Sequence, residues 1–194
     1  SIKDSSVKNP NELPASEVYG CKKLLGREQS SADWALIQLD RPVAGHKPLQ
    51  LSRAGDPSDG APLFVIGHPT GLPTKVAGGA KVRDASPEGY FVANLDTYGG
   101  NSGSAVFNAQ TGLVEGILVR GENDYVYKNG CRVSNVCASD ACRGEDVTKI
   151  SVVLPQLPLD EPAPVTSDVR VAPIGESLAL SLEKLASPAL EQLR

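Results

Sequence analysis

Between Ala35 and Tyr127 the sequence falls into short strand-like runs set apart by turn residues. Ala35-Leu36-Ile37-Gln38-Leu39 closes on Asp40-Arg41-Pro42, and Pro62-Leu63-Phe64-Val65-Ile66 closes on Gly67-His68-Pro69. Proline offers no amide to a ladder and glycine accepts the positive φ of a tight turn, so each cluster ends the strand before it. Further strands are predicted over residues 75–77, 80–83, 90–94, 104–107, 113–119 and 125–127, with Asn108-Ala109-Gln110-Thr111-Gly112 as a hairpin loop. Residues 1–20 are polar and interrupted by proline, and read as an irregular lead-in. Turn signals spaced about ten residues apart predict an all-β sandwich or barrel; a parallel sheet would need long crossovers, usually helical, between its strands.

Composition agrees. The 19 glycines, 15 prolines and 5% aromatic content suit many turns and short strands, and 40% hydrophobic residues can supply a core for one domain or two small barrels. After Val153 the texture changes: Pro155, Pro158, Pro162, Pro164 and Pro173 make an extended linker, and Leu178, Leu182 and Leu185 fall at helical spacing in a short amphipathic segment, Glu176 to Ala186. A net charge of −4 without long runs of one sign argues against nucleic acid and against an anionic membrane as partners, and no apolar run is long enough to span a bilayer. The sequence contains no methionine, so Ser1 is read as following an upstream segment that was removed or left out.

Cys21, Cys131, Cys137 and Cys142 are read as disulfide candidates of a secreted or periplasmic protein, with three connectivities open. Zinc is the alternative for the three clustered thiols, but no Cys-x-x-Cys occurs and neither histidine lies near them, so no metal site is expected.

The segment with chemical content is Asp96-Thr97-Tyr98-Gly99-Gly100-Asn101-Ser102-Gly103-Ser104-Ala105-Val106-Phe107. A serine hydroxyl attacks a carbonyl only when a base takes its proton and fixed donors receive the oxyanion. Gly-Asn-Ser-Gly running into an apolar strand is a tight turn able to aim backbone amides at one point. This segment resembles the nucleophile loop of the chymotrypsin-like (trypsin superfamily) serine peptidases, and its Gly-Gly-Asn-Ser-Gly-Ser form is similar to the bacterial secreted branch that includes the glutamyl endopeptidases. Asp33-Trp34-Ala35-Leu36-Ile37 is similar to the family's second hallmark, an aspartate opening a strand, and the two motifs stand in the family's order.

The resemblance, which covers roughly residues 18–153, implies two six-stranded β-barrels, the first N-terminally incomplete in this chain. Residues 1–55 would be the remainder of the first barrel with the interbarrel linker, residues 56–154 the second barrel, and residues 155–194 the Pro-rich tail with its short helix. By the same resemblance Ser102 is the nucleophile, Asp33 orients the histidine, the amides of Gly100 and Ser102 form the oxyanion hole, and peptide bonds are hydrolysed through an acyl-enzyme without a cofactor.

The histidine is the gap. In the family's order it precedes the aspartate by roughly 45 residues, whereas only 32 residues precede Asp33. It is therefore expected upstream of Ser1, on a segment removed or carried by a separate chain. His46, in the interbarrel loop, reads as a surface residue, and His68 as a turn support. An α/β-hydrolase, which places its histidine after the serine, is excluded because none follows Ser102. A catalytically inactive homologue that binds peptides in the cleft is the alternative to an enzyme.

Asp96, Thr97, Leu118 and Val119 are the candidate substrate-binding residues. Asp96 stands where trypsin-like members carry a pocket-floor acid that attracts arginine or lysine, and reads equally as a strand-end cap. Thr97 matches a threonine of the glutamyl endopeptidases, but the pocket histidine of that branch aligns with Leu118. Arg120 either supplies an anion partner or points to solvent.

Overall fold

The computed structural model describes residues 2–3 and 13–157. The chain divides into a unit spanning residues 1–161 and another spanning residues 162–194, and every described residue belongs to the first. The amphipathic segment 176–186 and most of the Pro-rich tail lie outside the described residues.

Two short strands, β1 (Ile2–Lys3) and β2 (Leu13–Pro14), pair in parallel within what the sequence presents as an irregular lead-in. Strands β3 (Cys21–Gln29) and β4 (Asp33–Leu39) then form an antiparallel two-stranded ribbon. β3 was not predicted: it reads Cys-Lys-Lys-Leu-Leu-Gly-Arg-Glu-Gln, without alternation, and its pairing slips twice, at Cys21/Lys23 and at Leu24/Gly26. The ribbon leaves Leu24, Leu25 and Ile37 exposed, as expected of an incomplete first barrel.

The second half closes. β5 (Pro62–Gly67), β6 (Lys75–Asp84), β7 (Tyr90–Ala93), β8 (Ala105–Asn108), β9 (Val114–Arg120) and β12 (Glu145–Lys149) form a six-stranded barrel in the order β12-β7-β6-β5-β8-β9, with β9 returning to β12. All its pairings are antiparallel. Inward-facing Leu63, Val65, Ala80, Val82, Phe91, Ala93, Val106, Leu118 and Val147 fill the interior with Leu95, as alternation on half-buried strands requires. Phe91 is completely buried at the centre. Gly116 faces it from β9, where a Cβ would collide with the Thr148 carbonyl and the Val147 side chain. Glycine is what allows β9 and β12 to approach there.

Residues 75–77 and 80–83, expected as separate strands, are one strand. Leu63 and Val65 of β5 face Ala80 and Ala77 of β6, so β6 spends one residue more than its partner, and Gly79 at φ 78° absorbs the bulge. Outside the barrel, β10 (Tyr125–Lys128) and β11 (Cys131–Ser134) make a hairpin turned at Asn129 and Gly130, which have φ of 53° and 77°. Asn-Gly is a strong signal for this turn, and β11 was legible from it although it was not predicted.

β12 was also unpredicted, because Glu-Asp-Val-Thr-Lys carries no hydrophobic pattern. Its polar residues are nevertheless buried and paired. Asp146 accepts from Arg120 at 2.8 Å and from Arg143 at 2.7 Å; the Lys149 ammonium reaches Asp56 at 2.9 Å and the Ala85 carbonyl at 3.0 Å; Thr148 bonds the backbone of Asp33. A buried polar group with partners can stand in a strand that no hydrophobicity pattern announces.

Candidate active site

The loop Tyr98–Ser104 leaves β7 and enters β8, and its conformation follows from its glycines. Gly100 has φ 99° and Gly103 φ 89°, values that favour glycine. A Cβ on Gly100 would also press on the Thr70 amide at 3.1 Å and the His68 carbonyl at 3.3 Å. The amides of Gly99, Asn101, Gly103 and Ser104 are spent on Asp124 Oδ2 (2.7 Å), the Tyr98 carbonyl (3.2 Å), the Leu118 carbonyl (2.7 Å) and the Asn101 carbonyl (2.9 Å). Those of Gly100 and Ser102 make no hydrogen bond among the described residues.

Thr70, itself at φ 52°, donates its amide to the Gly99 carbonyl at 2.8 Å and ties the loop to the turn after β5. Asn101 is buried behind the serine, with Oδ1 unpartnered, and Gly67 leaves the space it fills: a Cβ there would collide with the Asn101 side chain. Ser102 is exposed and donates its hydroxyl to the Val119 carbonyl on β9 at 3.0 Å.

Asp33 opens β4, as the motif predicted, and its backbone is held by the barrel. Its amide donates to Thr148 Oγ1 at 3.0 Å, and the Thr148 hydroxyl donates to its carbonyl at 3.0 Å. Thr148 stands opposite Ile117 on β9, and Ile117 opposite Ala105 on β8. Ala32 is buried beside Gly89, which fixes the approach of the ribbon.

A cavity of about 150 Å³ opens beside Ser102. Thr97, Leu118 and Val119 border it with Ser102, so three of the four predicted substrate-binding residues are brought together. Leu118 contributes backbone there, because its side chain is core and 3% exposed. Asp96 does not border this cavity; it is exposed and borders two neighbouring ones. The acids beside Ser102 are instead Glu122, Asp124 and Glu145, none of which sequence reasoning had found. Burial first, and the Asp124 charge second, push the Glu145 carboxyl up to about 7, against hydrogen bonds from Thr97 and the Glu122 backbone. No local motif marks Glu145; only the closure of β12 onto β9 brings it there.

His68 pairs with Thr74 Oγ1 through Nε2 at 2.8 Å, and His46 is exposed in the loop between ribbon and barrel. Neither borders the Ser102 cavity. Of the four cysteines, Cys137 and Cys142 form a disulfide with Cα atoms 5.8 Å apart, while Cys21 and Cys131 are exposed free thiols. Of the three clustered thiols two are thus joined and Cys131 stands apart, and no group of three or more ligating side chains capable of holding a metal forms among the described residues. No helix among them is long and apolar enough to cross a membrane.

The chain is similar to solved structures of the Rv3671c protease from M. tuberculosis. The active form is 21% identical with a TM-score of 0.47, covering 70% of this chain and 57% of that one; an inactive form is 19% identical with a TM-score of 0.47, covering 72% and 65%. The chain therefore spans less than two thirds of those proteins. No curated protein matches it. The family model of the trypsin-like peptidase domain matches residues 6–117, more than half of the chain and a stretch that includes both Asp33 and Ser102. This chain belongs to the trypsin-like peptidase domain family.

Proposed function

We propose that this chain is the greater part of a serine endopeptidase that hydrolyses peptide bonds through an acyl-enzyme on Ser102. The observation that carries this reading is the pattern of spent and unspent amides. Four amides of the nucleophile loop are bonded and two, Gly100 and Ser102, are not, which are the two an oxyanion hole needs. An unpaired amide pair beside an exposed serine has no structural use, but it stabilises a tetrahedral oxyanion. Asp33, held by Thr148, serves to orient an imidazole and stabilise its charged form. The imidazole comes from a segment outside these residues, since His68 is bonded to Thr74 and neither it nor His46 borders the Ser102 cavity. The Cys137–Cys142 bridge supports an oxidising location, secreted or periplasmic. The partner is a protein or peptide substrate, and the chemistry needs no cofactor.

The second reading, an inactive homologue that binds peptides, is favoured by one observation: the Ser102 hydroxyl is donated to the Val119 carbonyl and not to a base. The two readings separate in a labelling experiment. Residues 1–194 alone should react negligibly with a fluorophosphonate, and the chain extended upstream through a histidine, in an Ala-His or Gly-His pair ahead of a cysteine, should be labelled rapidly at Ser102. Ser102→Ala should abolish labelling, and Asp33→Asn should lower peptide turnover by about 10⁴. An extended chain that carries such a histidine yet stays unlabelled would leave the binding module as the better account.

A further inference from the structure

We propose that the larger cavity behind the Ser102 turn is a binding site for a small uncharged aromatic molecule with one N–H or O–H donor, which it gives to Asn101 Oδ1. The inference goes beyond the protease reading and does not need it, because Ser102 does not border this cavity.

The walls come from three parts of the chain. β5 and β6 supply the floor, where Val65 stands opposite Ala77. The turn after β5 supplies Pro69 and Thr70, with Leu72 exposed at the rim. Tyr98 of the nucleophile loop and Tyr125 of β10 complete the cavity, with ring centroids 5.6 Å apart and planes tilted by 42°. The Arg132 guanidinium lies 4.3 Å from the centre of the Tyr125 ring and supports that wall. The volume is about 330 Å³, a size that takes a small molecule.

One buried atom states what the occupant must carry. Asn101 is 4% exposed, and its Oδ1 has no hydrogen-bond partner among the described residues. That oxygen lies against Gly67, since a Cβ there would meet it before any other atom, and Gly67 borders the same cavity. An amide oxygen accepts and does not donate, so the missing partner is a donor, and buried acceptors left unmade are uncommon in folded proteins. Apolar walls with two tyrosine rings suit a flat aromatic body. The lining holds one cation, Lys75, and one anion, Asp96, both exposed, so it offers an ion no net counter-charge. A charged ligand would lose hydration there without recovering it.

The cavity touches both anchors of the turn that presents Ser102. Thr70, in its lining, donates its amide to the Gly99 carbonyl at 2.8 Å. Asn101 precedes the serine and also borders the smaller cavity beside it. An occupant therefore fixes the turn from behind and leaves the serine's own side open.

The test is binding, which needs no catalytic histidine. Indole is titrated into the full chain and followed by the backbone amide resonances, with benzofuran as the analogue of the same shape that lacks the donor. Indole should shift the amides of Ala77, Asn101 and Tyr125, and benzofuran should bind about tenfold more weakly. Hydrogen exchange of the Thr70 amide should slow about tenfold at an indole concentration ten times its dissociation constant, because opening the turn must first release the ligand. Ala77→Leu, which fills the floor, should abolish indole binding. No binding of indole to the unsubstituted chain, benzofuran binding as tightly as indole, or shifts confined to Gly121 and Glu145 of the smaller cavity overturns the proposal, whether or not the Leu variant folds. Labelling of Ser102 in the extended chain is untouched by any of these results and remains the separate test of the protease reading.

Discussion

Replacing Thr148 by valine removes one hydroxyl and almost no volume, yet it should loosen the β3–β4 ribbon from the barrel. The Thr148 side chain is 1% exposed, and its hydroxyl both accepts the Asp33 amide and donates to the Asp33 carbonyl, each at 3.0 Å. Each such bond contributes about 1 kcal/mol net, and leaving half-buried partners unmade adds part of a desolvation penalty of about 1–3 kcal/mol. The methyl group that takes the hydroxyl's place returns at most about 0.8 kcal/mol. The expected loss is about 1–2 kcal/mol. Urea denaturation followed by far-UV circular dichroism measures it, with hydrogen exchange reporting the Asp33 amide individually. Thr148→Val should lower the midpoint at unchanged slope, and the Asp33 amide should exchange faster than the barrel core. A loss below about 0.5 kcal/mol, with Asp33 as well protected as before, would refute the claim that this hydroxyl fastens the ribbon.

Phe91→Ala should cost about 3–5 kcal/mol in the same assay, because it empties the centre of a closed barrel that has no free volume to collapse into. Gly67→Ala should destabilise by about 1–3 kcal/mol and shift the amide resonances of Asn101 and Ser102, since the new methyl group meets the Asn101 side chain. Alkylation of the unreduced folded protein should modify two cysteines, Cys21 and Cys131, and mass spectrometry finding none or four would contradict the pairing. The folded-state Glu145 carboxyl lies above its unfolded value, so the folded state holds the extra proton between about pH 4.5 and 7 and stability should fall as pH rises through that window. Discounted for partial exposure, the fall is about 1–2 kcal/mol, and Glu145→Gln should flatten it.

How far the sequence reaches differs from element to element. Ala35–Leu39, Pro62–Ile66 and Leu113–Val119 were readable because each alternates or runs apolar between turn residues, and each is a strand within a residue or two. β12 was not readable, since its stability comes from Asp146, Thr148 and Lys149 finding partners as distant in sequence as Arg120, Asp33 and Asp56. No window of local pattern contains those partners.

The same division runs through the candidate site. The turn that presents Ser102 is local, a matter of glycines at 100 and 103 that permit one backbone path, so the sequence alone determined that turn and that the body is all-β. The company Ser102 keeps was decided by the tertiary structure. Closure of β9 onto β12 carries Glu145 under Gly121 and leaves Asp96 outside, and the charge of a pocket belongs to whichever strands close it, however far apart they lie in the chain.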